Sequence, residues 1–554
     1  MIVAQAVGAV LARLGVTTAF GVVGSGNFHV TNALVENGVR YVAARHEGGA
    51  ATMADAYARV SGTVGVLTVH QGPGLTNAMT GITEAAKSRT PLLVLAAESL
   101  EPRSNFHIDQ FALAEAVGAV PMRVTSAEDA VAETVRAFRT AAGERRTVLL
   151  NLPLGVQGRP IGPLGGETLA IPASPAREAD LESSPSPERA AELAKALAGA
   201  RRPVFVAGRG ARHARRELES LADRTGALLA TSAVARGLFA GNPWNLDVSG
   251  GFASPLAAEL IREADLLVGW GCALNMWTTR HGTLVGPSAT VAQVDLDTGA
   301  LGAHLRVDIG VVGDVAATAR AVTELIGGHE PPLAGHERRS EALAQRIARE
   351  ISWRDVPYTD ESGGGRVDPR TLSIALDDLL PRERIVGVDS GNFMGYPAMF
   401  MSVPDENGLC FTQAFQSVGL GLATAIGAAL ARPDRLPVAA LGDGGALMGV
   451  SELETVVRLG LPMVIVIYDD EAYGAEVHHF GPDGHPLDQV RFPPADFAAI
   501  GRGFGCEAVT VRDPGDLGPV TEWLDGPRDR PLLLHAKVTV GQGAWWLEEA
   551  FRGH

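Results

Sequence analysis

Short runs of β-branched and leucine residues alternate with alanine-rich stretches along almost the whole chain, at 64–69, 92–96, 148–152, 204–207, 266–269, 438–441 and 463–468. Apolar runs of this length predict strands buried on both faces, and their alternation with helical stretches predicts parallel sheets covered by helices, an α/β architecture. Two stretches of different texture interrupt the pattern. Residues 160–187 are dense in Pro, Gly and Ser, while 327–368 contains a charged helical pattern at 337–350 and the run Gly363 to Gly365. Such composition marks linkers. The spacing therefore predicts three domains, each a doubly wound parallel sheet, at 1–162, 188–328 and 366–554. A chain of 554 residues is in any case too long for a single core.

Composition narrows the class. With 46% hydrophobic residues, 5% aromatic residues and 66 glycines, the chain reads as a large soluble α/β protein. The formal charge of −16 comes without any Lys/Arg block, which excludes a phosphate-backbone partner and leaves nucleic acid out of account. Cys272, Cys410 and Cys506 lie far apart without a C-x-x-C, so neither a disulfide framework nor a zinc site is indicated, and a reducing cytoplasm is expected. Residues 1–16 read as an amphipathic helix lacking the features of a signal peptide. The most apolar run, 418–431, falls short of the roughly 18 residues that suggest a membrane span. A cytoplasmic protein with no membrane partner is expected.

The densest chemistry lies in Gly442-Asp443-Gly444-Gly445, directly after the apolar run 438–441 and ahead of a helix expected near Ser451. Glycines there let the backbone approach a ligand, and the following helix turns free N–H groups toward a phosphate. Asp469-Asp470 follows the next expected strand, so Asp470 stands 27 positions after Asp443. Two acids at the ends of neighbouring parallel strands, with a backbone carbonyl such as that of Ala472, form an oxygen set suited to Mg²⁺ beside a diphosphate. Taken singly, Asp443 is also an ordinary helix cap and Asp469-Asp470 an ordinary turn. In the middle block, Gly208-Arg209-Gly210 with Asp295 and Asp297 resembles half of a nucleotide-binding unit, but glycine at a strand-to-helix turn is equally required by packing.

The segment from Gly442 to Tyr473 resembles the cofactor motif of the thiamine diphosphate enzymes, which ends in two asparagines where this chain has Asp469 and Asp470. The added negative charge is expected to tighten the metal and weaken the diphosphate. The whole chain is similar to the acetolactate synthase and 2-oxoacid decarboxylase branch, including its benzoylformate decarboxylase-like members. That resemblance implies a pyrimidine-binding first domain, a central helper domain and a diphosphate-binding last domain. Arg45-His46-Glu47 then matches the segment whose glutamate hydrogen-bonds the pyrimidine, which makes Glu47 the first catalytic candidate; read alone, Glu47 also suits the start of a helix. Gly72-Pro73-Gly74-Leu75-Thr76-Asn77 resembles the loop lining the same cavity. Val418 stands where an apolar residue props the cofactor, or is plain core. Gly391 and Tyr473 complete the implied cofactor contacts, and the metal falls to Asp443, Asp470 and Ala472. The resemblance also implies a homodimer or homotetramer whose sites form between chains. No pattern in the middle domain assures FAD, so flavin stays open.

Ser25 and His70 are similar in position to substrate-facing residues of the benzoylformate decarboxylase-like subgroup, and Glu476 to an acid that pyruvate decarboxylases place after the metal loop. Half-buried His70 and a solvated Glu476 are the bland alternatives. Two departures separate the chain from acetolactate synthases: Phe106 replaces a glutamine, and Val477-His478-His479-Phe480 replaces a tryptophan-containing segment. His281 reads as a surface-loop histidine. The expected function is decarboxylation of a 2-oxoacid with ligation to an acceptor carbonyl. The alternatives are a simple 2-oxoacid decarboxylase of benzoylformate or indolepyruvate type, and a non-catalytic cofactor-binding regulatory subunit.

Overall fold

A computed structural model describes residues 1–162, 164, 183–327, 333–541 and 543–547. Most of the expected 160–187 linker lies outside these. The described residues build three sheets, each of six parallel strands, interleaved with helices. The α/β expectation of three doubly wound parallel sheets holds in each of the three blocks, and strands such as Gly65–Val69, Leu266–Trp270 and Leu436–Gly442 fall where the apolar runs placed them.

Counted along the chain within each sheet, the first and the last sheets share the strand order 2-1-3-4-6-5. The middle sheet runs 6-5-4-1-2-3, the dinucleotide-type order read from its far edge. The shared order makes the first and last units two versions of one architecture, and they pack through equivalent helices. Helix Glu47–Ser61 follows the second strand of the first sheet, and helix Gly421–Ala431 follows the second strand of the last. Both helices are Ala- and Gly-rich, so their backbones approach closely: a side chain on Gly427 would collide with the Met53 carbonyl and come within 2.9 Å of Ala56 Cβ. Met53, Ala54, Leu422, Ala425 and Ile426 thereby join one buried cluster spanning the two units. The most apolar run of the sequence is thus a buried interdomain helix. Among the described residues no helix is long and apolar enough to cross a membrane.

Helix Val3–Arg13 appears where an amphipathic helix was expected, but residues Val3, Ala4 and Ala6 to Leu11 are all buried. It is covered on more sides than a surface helix because helices Phe28–Glu36 and Ala130–Gly143 flank it. The charged pattern at 337–350 resolves into helix Glu341–Glu350, capped by the Ser340 hydroxyl, which accepts the Leu343 N–H at 3.2 Å.

The middle unit is fastened to the last one by Arg236, which is only 7% exposed. Its guanidinium meets Asp247 at 3.0 Å and donates to the carbonyls of Ala398 and Met401 in the last unit, the latter at 2.8 Å. Removing one partner from a buried charged cluster strands the others without hydrogen bonds. Arg236→Met is therefore expected to destabilise the protein by about 3 kcal/mol. Chemical unfolding monitored by tryptophan fluorescence checks this, and an unchanged midpoint would contradict it.

Candidate functional site

Strands Leu436–Gly442 and Val464–Asp469 are parallel neighbours, with Gly442 opposite Tyr468. Their C-terminal ends deliver Asp443 and Asp470 to one sheet edge, where open α/β sheets bind ligands. The helix expected near Ser451 is Glu452–Arg458, and an additional short helix, Asp443–Met448, opened by Asp443, precedes it. Burial, and then the nearby charges of Asp470 and Asp469, push the Asp443 pKa up to about 8. Burial also pushes Asp470 up to about 6, although the Ala472 N–H donates to its carboxylate at 3.3 Å.

Glycines shape this corner by what they leave out. A Cβ on Gly444 would lie 2.6 Å from the Tyr473 ring, and a side chain on Gly474 would collide with the Asp470 carboxylate. Gly391 has φ +139° and ψ −179°, a region that essentially only glycine occupies. One residue of the corner escaped the sequence reading. Asp389, buried at the end of strand Arg384–Val388, accepts the N–H groups of Ser390 at 2.8 Å, Gly419 at 3.1 Å and Leu420 at 3.2 Å. Burial raises its pKa to about 6 despite these donors. It fixes the turn that carries Val418, which is 39% exposed rather than core. The signal was available, since Asp389 directly follows an apolar run at the same sheet edge.

The structure supplies the Asp469-Asp470 pair with partners that the sequence did not announce. Strand Leu532–Lys537 lies beside strand Val464–Asp469, with Asp469 opposite Lys537. The Asp469 carboxylate meets His535 Nε2 at 2.6 Å and Lys537 Nζ at 2.7 Å. Burial opposes its ionisation, but these two partners outweigh burial and hold its pKa below the usual range. Lys537 also meets Glu471 at 2.8 Å, and Glu471 meets Arg366 at 2.6 Å. Asp469 is therefore ion-paired inside the protein, although its charge still raises Asp443 and Asp470, and Asp470 is the carboxylate that lines the cleft with Asp443.

Every residue expected at the cofactor and metal, namely Gly391, Val418, Gly442, Asp443, Gly444, Gly445, Asp470, Ala472 and Tyr473, lines one cleft of about 1470 Å³, as does Glu476. Burial lowers the pKa of His478, which lines the same cleft. The tail past the last strand folds back into this space. Trp546, 2% exposed, fills the place of a side chain on Gly395, and Trp545 stacks on Trp353.

Glu47, Ser25 and His70 gather elsewhere, on the first unit, and do not line that cleft. Glu47 opens its helix and accepts from Asn77 Nδ2 at 3.1 Å. The Gly26 N–H donates to His70 Nδ1 at 3.1 Å, which leaves Nε2 to carry the proton of the neutral ring. Burial lowers the His70 pKa, while the charge of Glu47 pulls it upward. A Cβ on Gly74 would lie 2.9 Å from His70 Cβ and 3.6 Å from Glu47 Oε1, so that glycine lets the two approach. Ser25 is exposed on the loop whose glycines, Gly24 and Gly26, wrap His70. The Phe106 ring stands edge-on to His70, centroids 5.3 Å apart.

In the middle unit the packing account of Gly208-Arg209-Gly210 is favoured. Side chains on Gly208 or Gly210 would strike the Gly271–Cys272 turn, so two glycine turns sit back to back. Arg209 donates to the Ser88 carbonyl and Asp297 pairs with Arg89 at 2.9 Å, which ties this edge to the first unit. His281 is exposed and does not line the cleft.

A carboxyl whose pKa is raised by folding favours the folded state below its unfolded value, and that contribution is lost as pH rises through the folded values of about 6 and 8. In metal-free, cofactor-free protein, Asp470→Asn is therefore expected to raise the thermal midpoint at about pH 9 and to leave it unchanged at about pH 4. Scanning fluorimetry across that range checks this, and a shift of equal size at both ends would contradict it.

Comparison with known proteins agrees with this arrangement. The family models described as thiamine pyrophosphate enzyme, N-terminal TPP binding domain, central domain and C-terminal TPP binding domain match residues 1–113, 190–322 and 389–536. A probable 2-ketoarginine decarboxylase AruI of Pseudomonas aeruginosa is 30% identical over 538 residues, covering 93% of this chain and 89% of the relative. The catabolic acetolactate synthase of Raoultella terrigena is 29% identical over 555 residues, 94% of each chain. A sulfoacetaldehyde acetyltransferase of Castellaniella defragrans is 28% identical over 547 residues, 91% of this chain and 87% of the relative. With all three units matched in order, and relatives aligned along nearly the full length, the chain belongs to the thiamine pyrophosphate enzyme family.

Proposed function

We propose that the protein decarboxylates a 2-oxoacid and joins the remaining acyl unit to an acceptor carbonyl, using thiamine diphosphate and Mg²⁺ in sites completed by a second copy of the chain. The observation that carries this reading is the pair of carboxylates, buried Asp443 and half-buried Asp470, at a glycine-lined strand edge: burial and then the charges of Asp470 and Asp469 raise Asp443, and burial and then the charge of Asp469 raise Asp470. A divalent cation fits such a pair, because it relieves the repulsion that raises Asp443. Among the described residues no three His, Cys, Asp or Glu side chains converge on a metal position. The remaining ligands would be oxygens of the Ala472 carbonyl, the diphosphate and water. The Gly442–Gly445 turn and the start of the following helix would take the diphosphate.

Thiamine diphosphate, when bound, supplies the electron sink that lets the bond beside a 2-oxoacid carbonyl break. The chain's residues supply proton control and shape. With the cofactor bound, Glu47, steadied by Asn77, would share a proton with the aminopyrimidine, and exposed Val418 would offer it an apolar contact. His70 donates through Nε2 to substrate oxygens, and Ser25 stands beside it. Release of a free aldehyde requires a proton delivered to the reacting carbon, whereas ligation requires that proton to be withheld. Burial disfavours the charged forms of His70, against the pull of Glu47, and of His478, which accords with ligation. Half-buried Glu476 in the cleft is the one feature that suits the simple decarboxylase reading, as a proton donor.

Glu47 and Asp443 border different spaces in one chain, and both are edged by exposed apolar residues: Phe106, beside His70, near the first, and Met448, in the cleft, near the second. A second copy bringing the two surfaces together would complete both sites and cover this apolar area.

Glu47→Gln is expected to keep thiamine diphosphate affinity while losing about a hundredfold or more in turnover. Calorimetric titration of the cofactor beside a steady-state assay checks this, and unchanged turnover would remove Glu47 from its role. Incubation with a panel of 2-oxoacids, with and without acceptor aldehydes or a second 2-oxoacid, is expected to give ligated products by mass spectrometry. Free aldehyde alone would select the decarboxylase, and no CO₂ from any substrate with cofactor bound would select the regulatory subunit.

A further inference from the structure

Two buried glutamates cross between the first and last units in opposite directions. Glu452, at the start of helix Glu452–Arg458, is 2% exposed. Its Oε1 accepts the backbone N–H groups of Arg45 at 3.1 Å and His46 at 3.0 Å, and its Oε2 accepts the Thr455 hydroxyl at 2.6 Å. Those amides belong to the two residues that precede Glu47. Glu84, on helix Pro73–Lys87, is fully buried and accepts the N–H groups of Ala414 at 3.0 Å and Phe415 at 2.6 Å, on the stretch that leads to Val418. Arg59 at 2.8 Å and the Ser88 hydroxyl at 3.1 Å complete its partners.

The two contacts are one contact made twice. In each unit the glutamate lies on a helix after the third strand of its sheet, and reaches the turn after the second strand of the other sheet. Burying a carboxylate is costly, and an apolar side chain of similar volume would pack the same junction without that cost. What a carboxylate adds is a pair of charge-assisted hydrogen bonds with fixed direction to two successive backbone amides. The surroundings accommodate it: a Cβ on Gly49 would lie 2.6 Å from Glu452 Oε1.

We infer that Glu452 is the positioning residue for Glu47, and Glu84 the positioning residue for Val418, so that each unit sets the working part of the other. The inference rests on the role proposed for Glu47. It is tested on the full chain with Glu452→Ala, Glu452→Gln and Glu452→Asp, by amide hydrogen exchange of residues 44–50 without cofactor, thiamine diphosphate affinity, kcat and KM.

The amide oxygen of Glu452→Gln can still accept both N–H groups, so near wild-type exchange and kcat are expected. Glu452→Ala is expected to exchange faster at 45–46 and to lose about a hundredfold in kcat, with KM and cofactor affinity little changed. Wild-type exchange or wild-type kcat in Glu452→Ala overturns the inference, as does equal loss in Glu452→Gln. Should the alanine variant not fold, Glu452→Asp, one methylene too short, is expected to show the same split in milder form, and wild-type kcat there overturns the inference. Faster exchange in Glu452→Ala together with an active Glu47→Gln would support the clamp while removing the role of Glu47.

Discussion

The register between two parallel strands governs the rest of this structure. Because Gly442 lies opposite Tyr468, the residues that follow them emerge side by side, and two aspartates meet at one buried corner. A slip of one residue would turn Asp470 into the sheet and bring Asp469 to the corner in its place. The surrounding glycines then matter because the acids are there. Gly474 leaves room for the Asp470 carboxylate, Gly444 for the Tyr473 ring, and Gly445 for Asp389, which holds the turn of Val418. The corner is electrostatically uncomfortable by construction, and the proposed cation would relieve that discomfort.

The same strand order in the first and last units explains why they fit together so closely. Equivalent helices meet through small residues, and equivalent turns are reached by equivalent glutamates. The middle unit has a different order and a different attachment: Arg236 binds it to the last unit, and Arg209 and Arg89 bind it to the first. Its glycine turns serve close packing of its own loops, while its crevice opens into the same cleft as the aspartate corner.

Much of this was legible in the sequence because parallel strands are continuous apolar runs, and their ends are where ligand chemistry collects. Gly442 to Gly445, Asp470 and Ala472 could be grouped from spacing, and Tyr473 through the family resemblance, and the cleft unites them. Other features were hidden because they depend on contacts between distant segments. Nothing local to Asp469 announces His535 and Lys537, which become its neighbours only through strand pairing. Glu452 and Glu84 look like ordinary helix-surface acids until the two units are docked. Asp389 was within reach, as an acid closing an apolar run, and was passed over because it lacks a second motif residue beside it. The N-terminal helix looked half-exposed because periodicity cannot show how many neighbours will cover an element.

The trio of Asp469, His535 and Lys537 bears on how such a corner can change over evolutionary time. An acid arriving first at 469 would have been a third buried carboxylate beside two others. Lysine at 537 carries no such penalty, since Glu471 offers it a partner at the rim. The easier order is cation before acid, and asparagine at 469 would leave the cation a neutral inner acceptor beside Glu471. The three positions therefore form one electrostatic unit, in which a change at any one alters the setting of the other two.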